Sequence, residues 1–289
     1  METTGPEAIG VIAGAGQFPF MVVAGAKRAG CRVVVVGLRG LADPALADLA
    51  DSFRWSGLAK LGQWIRIFKR ERITRAIMAG YVHKQVMYGR FRLLKLLPDW
   101  TSFKLWFFGL RDKRNDTVLG AVADVMEARG VTLENAVQYC AEDLAPEGVL
   151  SGPASGGTGA GPGPELDKDI EFGWRIAKEL GRLDIGQAVA VKETDVLAVE
   201  AIEGTNRMIE RAGQLCPKGG WTLIKVAKPD QDMRFDIPTV GPETIEHLAQ
   251  HGGTSLVIEA GKTVIVDRQR MLDAARRHKI VVKAMVRSD

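Results

Sequence analysis

The stretch IGVIAGAGQFPF, residues 9–20, decides the fold of the first half of the chain. A short apolar run leads into a glycine-rich turn and then into a second apolar segment, a pattern that predicts a strand, a tight turn and a helix. Two further apolar runs, CRVVVVGL at 31–38 and ITRAIMAG at 73–80, alternate with amphipathic stretches. This alternation predicts a Rossmann-like α/β domain with a parallel sheet.

The glycine turn differs from that of dinucleotide-binding enzymes. Pro19 stands where GxGxxG has its third glycine, and the second predicted strand ends in GLR, residues 37–39, without the acidic residue that holds a ribose. An NAD-dependent dehydrogenase is therefore not expected. Two interpretations stay open: a purely structural turn, or a turn whose backbone N–H groups at Gly14 and Gly16 receive part of a nucleotide.

A segment rich in glycine, proline and serine, residues 150–167, predicts a flexible connection between two domains. We expect an N-terminal nucleotide-binding-like domain over residues 1–150, a linker over 151–167 and a C-terminal mixed α/β catalytic domain over 168–289.

Within the second domain, two pairs of apolar runs predict hairpins. One pair flanks residues 192–195, and the other, SLVIEAGKTVIVD at 255–267, turns at Gly261.

Composition limits the function classes. The chain of 289 residues is 46% hydrophobic, has a net charge of +4 and contains three cysteines without a CxxC pair, which argues against a disulfide framework and a thiolate zinc site. Neither a signal peptide nor a membrane-spanning stretch is evident, so we expect a cytoplasmic protein. Basic residues bunch between Lys60 and Arg114, which indicates an anionic ligand or surface. Nucleic acid is not expected, because acidic residues elsewhere would oppose wrapping a polyanion.

Residues 81–111 interleave lysine and arginine with tryptophan and phenylalanine. Three interpretations stay open: a surface that lies on an anionic membrane or cradles an acyl chain, a set of core aromatics with a solvated basic face, and a platform for stacking bases. His83 and Lys84 follow a predicted strand end, where ligand-binding loops gather in open α/β sheets.

The loop KVAKPDQDMRFDIPTVGP, residues 225–242, combines cations and carboxylates after a strand end. Such a set suits metal-assisted phosphoryl chemistry, in which carboxylate oxygens hold Mg²⁺ and cations offset phosphate charge. A solvated turn with local salt bridges would look similar. The candidate residues among its polar side chains are Lys225, Lys228, Gln231, Asp232, Arg234 and Asp236.

A second candidate anion site is the sequence EGT at 203–205, placed at a predicted strand-to-helix junction. The alternative is an ordinary helix start.

Taken together, these blocks, with NDTVLGAVADVMEARG at 115–130 and GGTSLVIEAGKTVIVDR at 252–268, resemble the LpxI type of UDP-2,3-diacylglucosamine pyrophosphatase over nearly the whole chain. The resemblance implies hydrolysis of the substrate's pyrophosphate to UMP and 2,3-diacylglucosamine 1-phosphate (lipid X) in lipid A synthesis. It also implies Mg²⁺ as cofactor, with Mn²⁺ as the alternative, a lipid-linked UDP-sugar held between two domains, and a homodimer. An acylated substrate further implies peripheral association with the inner membrane.

The resemblance also implies site residues. Asp232 matches the catalytic aspartate and would bind the metal or take a proton from water, and sequence does not separate these roles. The other expected catalytic residues are Lys225, Lys228 and Gln231. The expected substrate-binding residues are Gly14, Gly16, Gln17, His83, Lys84, Glu203, Gly204 and Thr205. The alternative function is a non-catalytic nucleotide or anion sensor, in which the acidic loop would be structural.

Overall fold

The computed structural model describes residues 7–82, 97–110, 115–152, 164–229, 231–235 and 237–287. The chain divides into two compact units. The first contains residues 1–141 and 232–236, and the second contains residues 142–231 and 237–289. The division after residue 141 differs from the expected boundary at residue 150, because the strand Gly148–Ser151 pairs with the last strand of the chain.

The first unit is built on a five-stranded parallel sheet in the order β3-β2-β1-β4-β5. This is the order of the first five strands of the six-stranded Rossmann sheet, and it confirms the predicted fold class. The strands are β1 (Ala8–Ala13), β2 (Arg32–Leu38), β3 (Ser52–Ser56), β4 (Arg75–Ala79) and β5 (Thr132–Glu134).

Helices cover this sheet, and their contacts require small residues in the strands. Phe68 is fully buried against β1, where a Cβ on Gly10 would approach its ring to 2.5 Å. The helices are α1 (Phe18–Arg28), α2 (Leu61–Arg70), α3 (Trp100–Lys104) and α4 (Asn115–Glu127). A π-helical turn, Leu105–Gly109, extends α3, and 3-10 turns span Pro44–Asp48 and Ala136–Tyr139.

The second unit contains a six-stranded mixed sheet in the order β6-β13-β11-β9-β7-β8. Its three central strands are parallel, and antiparallel strands flank them on both sides. The strands are β6 (Gly148–Ser151), β7 (Ala188–Lys192), β8 (Asp195–Val199), β9 (Trp221–Lys225), β11 (Gly253–Glu259) and β13 (Val281–Met285). A separate parallel pair joins β10 (Thr239–Val240) and β12 (Val264–Ile265).

Side chains of this sheet alternate between two apolar clusters. Val189 and Val191 pack with Trp174 on one face, whereas Ala188 and Ala190 belong to the cluster of the other face. Helices cover both faces, so the sheet is buried on both sides. They are α5 (Pro164–Arg182), α6 (Thr205–Leu215), α7 (Pro242–Gln250) and α8 (Arg268–His278).

One predicted hairpin is confirmed and the other is wrong. Strands β7 and β8 pair antiparallel through Glu193 and Thr194, which have φ of 52° and 58° and so form the left-handed turn that suits a two-residue hairpin. The predicted hairpin at 255–267 does not form. Both edges of β11 are already paired in parallel with β9 and β13, so the chain after Gly261 pairs with β10 instead.

Two helical glycines provide a stability test of the first unit. A Cβ on Gly25 would lie 1.8 Å from the carbonyl oxygen of Tyr139, whereas a Cβ on Gly120 would meet nothing within 4 Å. We expect Gly25→Ala to destabilise the fold by about 3 kcal/mol or more, because backbone must move. Gly120→Ala is expected to stabilise it by roughly 0.5–1 kcal/mol, because alanine loses less entropy in a helix. Urea denaturation of both variants measures this, and equal effects would contradict the packing of α1.

Candidate functional site

Lys225 stands at the centre of the candidate site of the second unit. It is the last residue of β9 and is buried, with its side chain directed to hydrogen-bond acceptors from two other elements. Its Nζ donates to the hydroxyl of Thr205 over 3.2 Å and to the carbonyl oxygen of Thr239 over 3.0 Å. An ammonium group has three N–H donors, so two of the three have partners among the residues that the structure describes.

The hydroxyl of Thr205 connects this ammonium group to a buried carboxylate. It donates to Oε1 of Glu200 over 2.5 Å, and Oε2 of Glu200 accepts the backbone N–H of Gln187 over 3.1 Å. Glu200 and Lys225 are each only 8% exposed. A buried charge is costly unless it is hydrogen-bonded, so Thr205 stabilises both charges at once.

The position of Thr205 follows from the start of α6. Gly204 precedes the helix with a φ of 81°, a conformation that favours glycine, and Thr205 is the first helical residue. The N–H groups of the first turn of a helix attract negative charge. The junction predicted from the sequence EGT is therefore present, and it brings this helix end beside Lys225.

Glu203 of the same predicted set has a structural partner. Its carboxylate accepts a hydrogen bond from Nη2 of Arg211 over 2.6 Å, and the same nitrogen donates to the carbonyl oxygen of Val199 over 2.7 Å. Arg211 thus ties the start of α6 to the end of β8. These contacts explain Glu203 as a residue that shapes the junction.

Lys228 and Gln231 form a tight turn that follows β9. The backbone N–H of Lys228 donates to Oε1 of Gln231 over 2.9 Å, and the N–H of Gln231 donates back to the carbonyl oxygen of Lys228 over 3.1 Å. The Nζ of Lys228 pairs with Asp184 over 2.6 Å, and both side chains are nearly buried. The positive charge of Lys228 is therefore balanced locally, whereas Lys225 contacts an uncharged hydroxyl and a carbonyl.

Asp232 is held by the second residue after it in the chain. The guanidinium of Arg234 binds both carboxylate oxygens over 2.7–3.1 Å. Asp232 also accepts the backbone N–H of Arg234. These hydrogen bonds from Arg234 hold the pKa of Asp232 below its ordinary value, although partial burial opposes the shift. The carboxylate stays charged at neutral pH and is a weak proton acceptor there.

The segment that carries Asp232 groups with the first unit. The chain leaves the second unit between Gln231 and Asp232, and Phe235 packs against the apolar core of the first unit. The guanidinium of Arg234 lies 4.8 Å from the ring centroid of Phe235. Asp232 is thereby placed on a different unit from Lys225. The other two carboxylates of the predicted loop, Asp230 and Asp236, lie outside the described residues.

Backbone hydrogen bonds join the opening glycine turn to the end of β4. The N–H of Gly14 donates to the carbonyl oxygen of Ala79 over 2.8 Å, and Ala15 and Tyr81 exchange two backbone hydrogen bonds. A Cβ on Gly14 would lie 2.9 Å from the carbonyl oxygen of Tyr81, so this glycine is required by close backbone approach.

The next two residues complete the turn. Gly16 has a φ of 92° and packs against the ring of Tyr81, and Gln17 directly precedes α1 without a side-chain cap. Ligand binding by this turn stays a prediction. His83 and Lys84 lie outside the described residues.

The fit of a metal ion can be examined from the donor set. Within the described part of the chain, no group of three or more His, Cys, Asp or Glu side chains is close enough to hold a metal. Both oxygens of Asp232 are bound by Arg234. The described residues alone therefore do not fit a divalent cation in this conformation.

Two site residues were missed by reasoning from sequence. Glu200 and Asp184 neutralise or bridge the predicted lysines, but they lie 25 and 44 positions from them in the chain. Glu200 directly follows the apolar run of β8 in the sequence, but its burial and its partner Thr205 are visible only in the fold. For Asp184, next to a helix end, no signal was present in the sequence.

The geometry defines a class of protein: a two-unit α/β protein with a Rossmann-type sheet and, in its second unit, a helix start set beside a buried lysine. Comparison with known families makes this specific. The model of the LpxI N-terminal domain matches residues 8–143, and that of the LpxI C-terminal domain matches residues 153–283. The chain therefore belongs to the LpxI family.

A relative supports the same assignment over both units. The chain is 33% identical over 282 residues to the UDP-2,3-diacylglucosamine pyrophosphatase LpxI of Caulobacter vibrioides. The similarity covers 92% of this chain and 93% of the relative.

The bridging hydroxyl of Thr205 can be tested by stability. Thr205→Val keeps the shape of the side chain but removes the hydrogen bonds to Glu200 and Lys225, so we expect a loss of about 1–3 kcal/mol in the free energy of unfolding. Thr205→Ser retains the hydroxyl, and the expected loss is less than about 1 kcal/mol. Chemical denaturation of both variants gives the comparison. Equal losses in the two would show that the methyl group, and not the hydroxyl, carries the effect.

Proposed function

We propose that this protein hydrolyses the pyrophosphate bond of UDP-2,3-diacylglucosamine, releasing UMP and 2,3-diacylglucosamine 1-phosphate (lipid X) for lipid A biosynthesis. The observation that carries this proposal is the relationship to the Caulobacter pyrophosphatase over both family domains. The ammonium group of Lys225 beside the start of α6 supports it, because a cation and helix N–H groups suit an anionic diphosphate.

Because the two lysines differ in the charge of their partners, we assign them different roles. A phosphoanhydride gains negative charge in its transition state, so a preorganised cation is needed near its oxygens. Lys225 has neutral direct partners, and we assign it to a diphosphate oxygen, beside the N–H groups at the start of α6. Lys228 is neutralised by Asp184, so we assign it, with Gln231, to holding the loop that leads to Asp232.

Asp232 is proposed as the catalytic carboxylate. Its lowered pKa makes it a poor general base at neutral pH, because an efficient base has a pKa near the working pH. A permanently charged carboxylate is better suited to orient a water molecule or to bind a cation. Arg234 would then hold the carboxylate in place before substrate binds.

Mg²⁺ is retained as a proposal on the basis of the family resemblance, with Mn²⁺ as the alternative. Such an ion would supply positive charge to the phosphate oxygens. Since the described residues do not form its site, no step is assigned to it here. We also propose a homodimer that acts in the cytoplasm at the inner-membrane surface, because the substrate carries acyl chains. Among the described residues, no helix is long and apolar enough to cross a bilayer.

The main alternative, a nucleotide or anion sensor without catalysis, is separated from the enzyme by turnover alone. Purified protein incubated with UDP-2,3-diacylglucosamine should release UMP and the sugar 1-phosphate, which chromatography resolves. Binding without product release would favour the sensor.

The role of Asp232 predicts the effect of a near-isosteric change. Asp232→Asn should lower kcat by about a hundredfold or more, because the negative charge at the reacting centre is lost. Asp273→Asn is a matched control: Asp273 also pairs with an arginine in its own segment, Arg276, and lies on an exposed helix face. The control should keep the parent rate. Turnover of the Asp232 variant within a few-fold of the parent would identify another catalytic carboxylate.

The cofactor proposal predicts sensitivity to chelation. Excess EDTA should lower turnover by at least about tenfold, and added Mg²⁺ should restore it, because the cation offsets charge on the diphosphate. Thermal unfolding in the same buffers is the control, since it shows whether chelation acts on the fold. Undiminished turnover in EDTA would exclude a dissociable cation.

A further inference from the structure

The described residues of the first unit expose an aromatic surface that the proposed site does not use. Among the described residues, every exposed tryptophan and phenylalanine lies in one short segment. Trp100 is 68% exposed, Phe107 63% and Phe108 82%, and Leu97 beside them is 60% exposed. We call these four side chains, three aromatic and one aliphatic, the aromatic patch. An exposed cluster of this kind marks an interaction surface, because single exposed apolar residues are normal but grouped ones are not.

Hydrogen bonds and an apolar contact hold the segment that carries the aromatic patch. The carboxylate of Asp99 accepts the N–H groups of Gln63 and Ser102 over 3.0 and 2.9 Å, and the hydroxyl of Ser102 accepts the N–H of Leu61 over 3.0 Å. Leu105 packs against the apolar core of the first unit. The segment is thus fastened to the start of α2 and to the core, and its outer side chains are presented to solvent by a fixed backbone.

Ring contacts give the patch a defined form. The ring of Phe103 stacks on that of Trp100 with centroids 5.6 Å apart. It also contacts the ring of Phe107, with centroids 4.6 Å apart. The Nζ of Lys104 lies 5.3 Å from the ring centroid of Trp100. Arg129 of the turn after α4 lines the same groove as Trp100 and Phe108. Aromatic rings and cations therefore share one face.

The charge at the patch points to its occupant. Lys104 and Arg129 lie at the patch itself. As a property of the sequence alone, the stretch 84–114 that contains the patch has eight lysines and arginines but only two acidic residues. Tryptophan and phenylalanine beside basic groups suit the headgroup region of an anionic bilayer, where rings enter the interface and cations meet lipid phosphates. A two-fold contact between copies would instead bring like charges together.

We propose that the aromatic patch docks the protein on an anionic lipid bilayer, with Trp100, Phe107 and Phe108 inserted at the interface. This inference deepens the proposed function, since it rests on a lipid substrate that resides in a membrane. It assigns the membrane contact to the first unit, whereas Lys225 and the start of α6 belong to the second.

The test uses the full chain and vesicles without substrate. Parent protein should cosediment with phosphatidylethanolamine–phosphatidylglycerol vesicles and not with phosphatidylcholine vesicles, and salt should weaken the binding. The double variant Phe107→Ser/Phe108→Ser should bind at least about tenfold more weakly. The matched control is Leu183→Ser/Leu215→Ser, which changes two side chains that are 64% and 62% exposed in the second unit. Lys104→Gln should weaken binding more than Lys218→Gln, an exposed lysine elsewhere.

Fluorescence gives a position-specific readout. Of the six tryptophans, Trp64, Trp174 and Trp221 are at most 3% exposed and Trp55 and Trp106 are half-buried, whereas Trp100 is 68% exposed. The largest share of the quenching by brominated-acyl phosphatidylglycerol should therefore come from Trp100 and should be lost in Trp100→Phe.

The outcomes separate this inference from the proposed function. Turnover of substrate dispersed in detergent micelles should be unchanged in the Phe107/Phe108 variant, so loss of vesicle binding with normal micellar turnover supports the docking surface. Equal vesicle binding by parent and variant overturns it, whatever the turnover. A higher KM for dispersed substrate with unchanged vesicle binding would overturn it in favour of an acyl-chain site. Loss of a dimer in light scattering, with unchanged vesicle binding, would overturn it in favour of a contact between copies.

Discussion

The buried ion pair between Lys178 and Glu259 holds the chain just after β9, which is the segment that leads into the candidate site. Their side chains are 5% and 4% exposed, and Nζ and the carboxylate approach to 3.0 Å. The carboxylate of Glu259 also accepts the N–H of Ala227 over 2.8 Å and pairs with Lys262 over 2.9 Å. One carboxylate thus joins α5, the end of β11 and the chain just after β9. Loss of the Glu259 carboxylate would remove a charge partner of the buried ammonium group of Lys178, which is far costlier than the loss of a surface pair.

Beyond this ion pair, further hydrogen bonds hold the chain after β9 at successive positions. Ala227 is held by Glu259, Lys228 by Asp184, and Gln231 by the backbone of Lys228. The chain is therefore held at three positions, Ala227, Lys228 and Gln231, before it reaches Asp232. Restraint of this kind is what a catalytic loop needs, because small displacements of a reacting group cost large factors in rate. The sequence shows that this loop is rich in polar residues, but it does not show which residues they bond.

The difference lies in the range of the interactions. Apolar periodicity and glycine turns are local, so the parallel sheet of the first unit and the hairpin through Glu193 and Thr194 were predictable. The hairpin expected at Gly261 failed because the partners of β11 come from distant strands, β9 and β13. Likewise, the loop 225–242 was identified from its charges, whereas Glu200 and Asp184 enter the site only through folding.

The glycine turn shows how one motif can satisfy structural and ligand requirements at different residues. Gly14 is accounted for by its contact with the backbone of Tyr81, and the N–H groups of Gly14 and Ala15 are already bonded to the chain at β4. A phosphate at this turn would therefore have to use donors further along, at Gly16 and Gln17, which bond to no backbone acceptor among the described residues. The departure from GxGxxG at Pro19 is consistent with this shift, because proline brings no N–H group to the first turn of α1. The motif that sets the fold thus has few free N–H donors, and the lysines to which we assign roles in the proposed chemistry, Lys225 and Lys228, belong to the second unit.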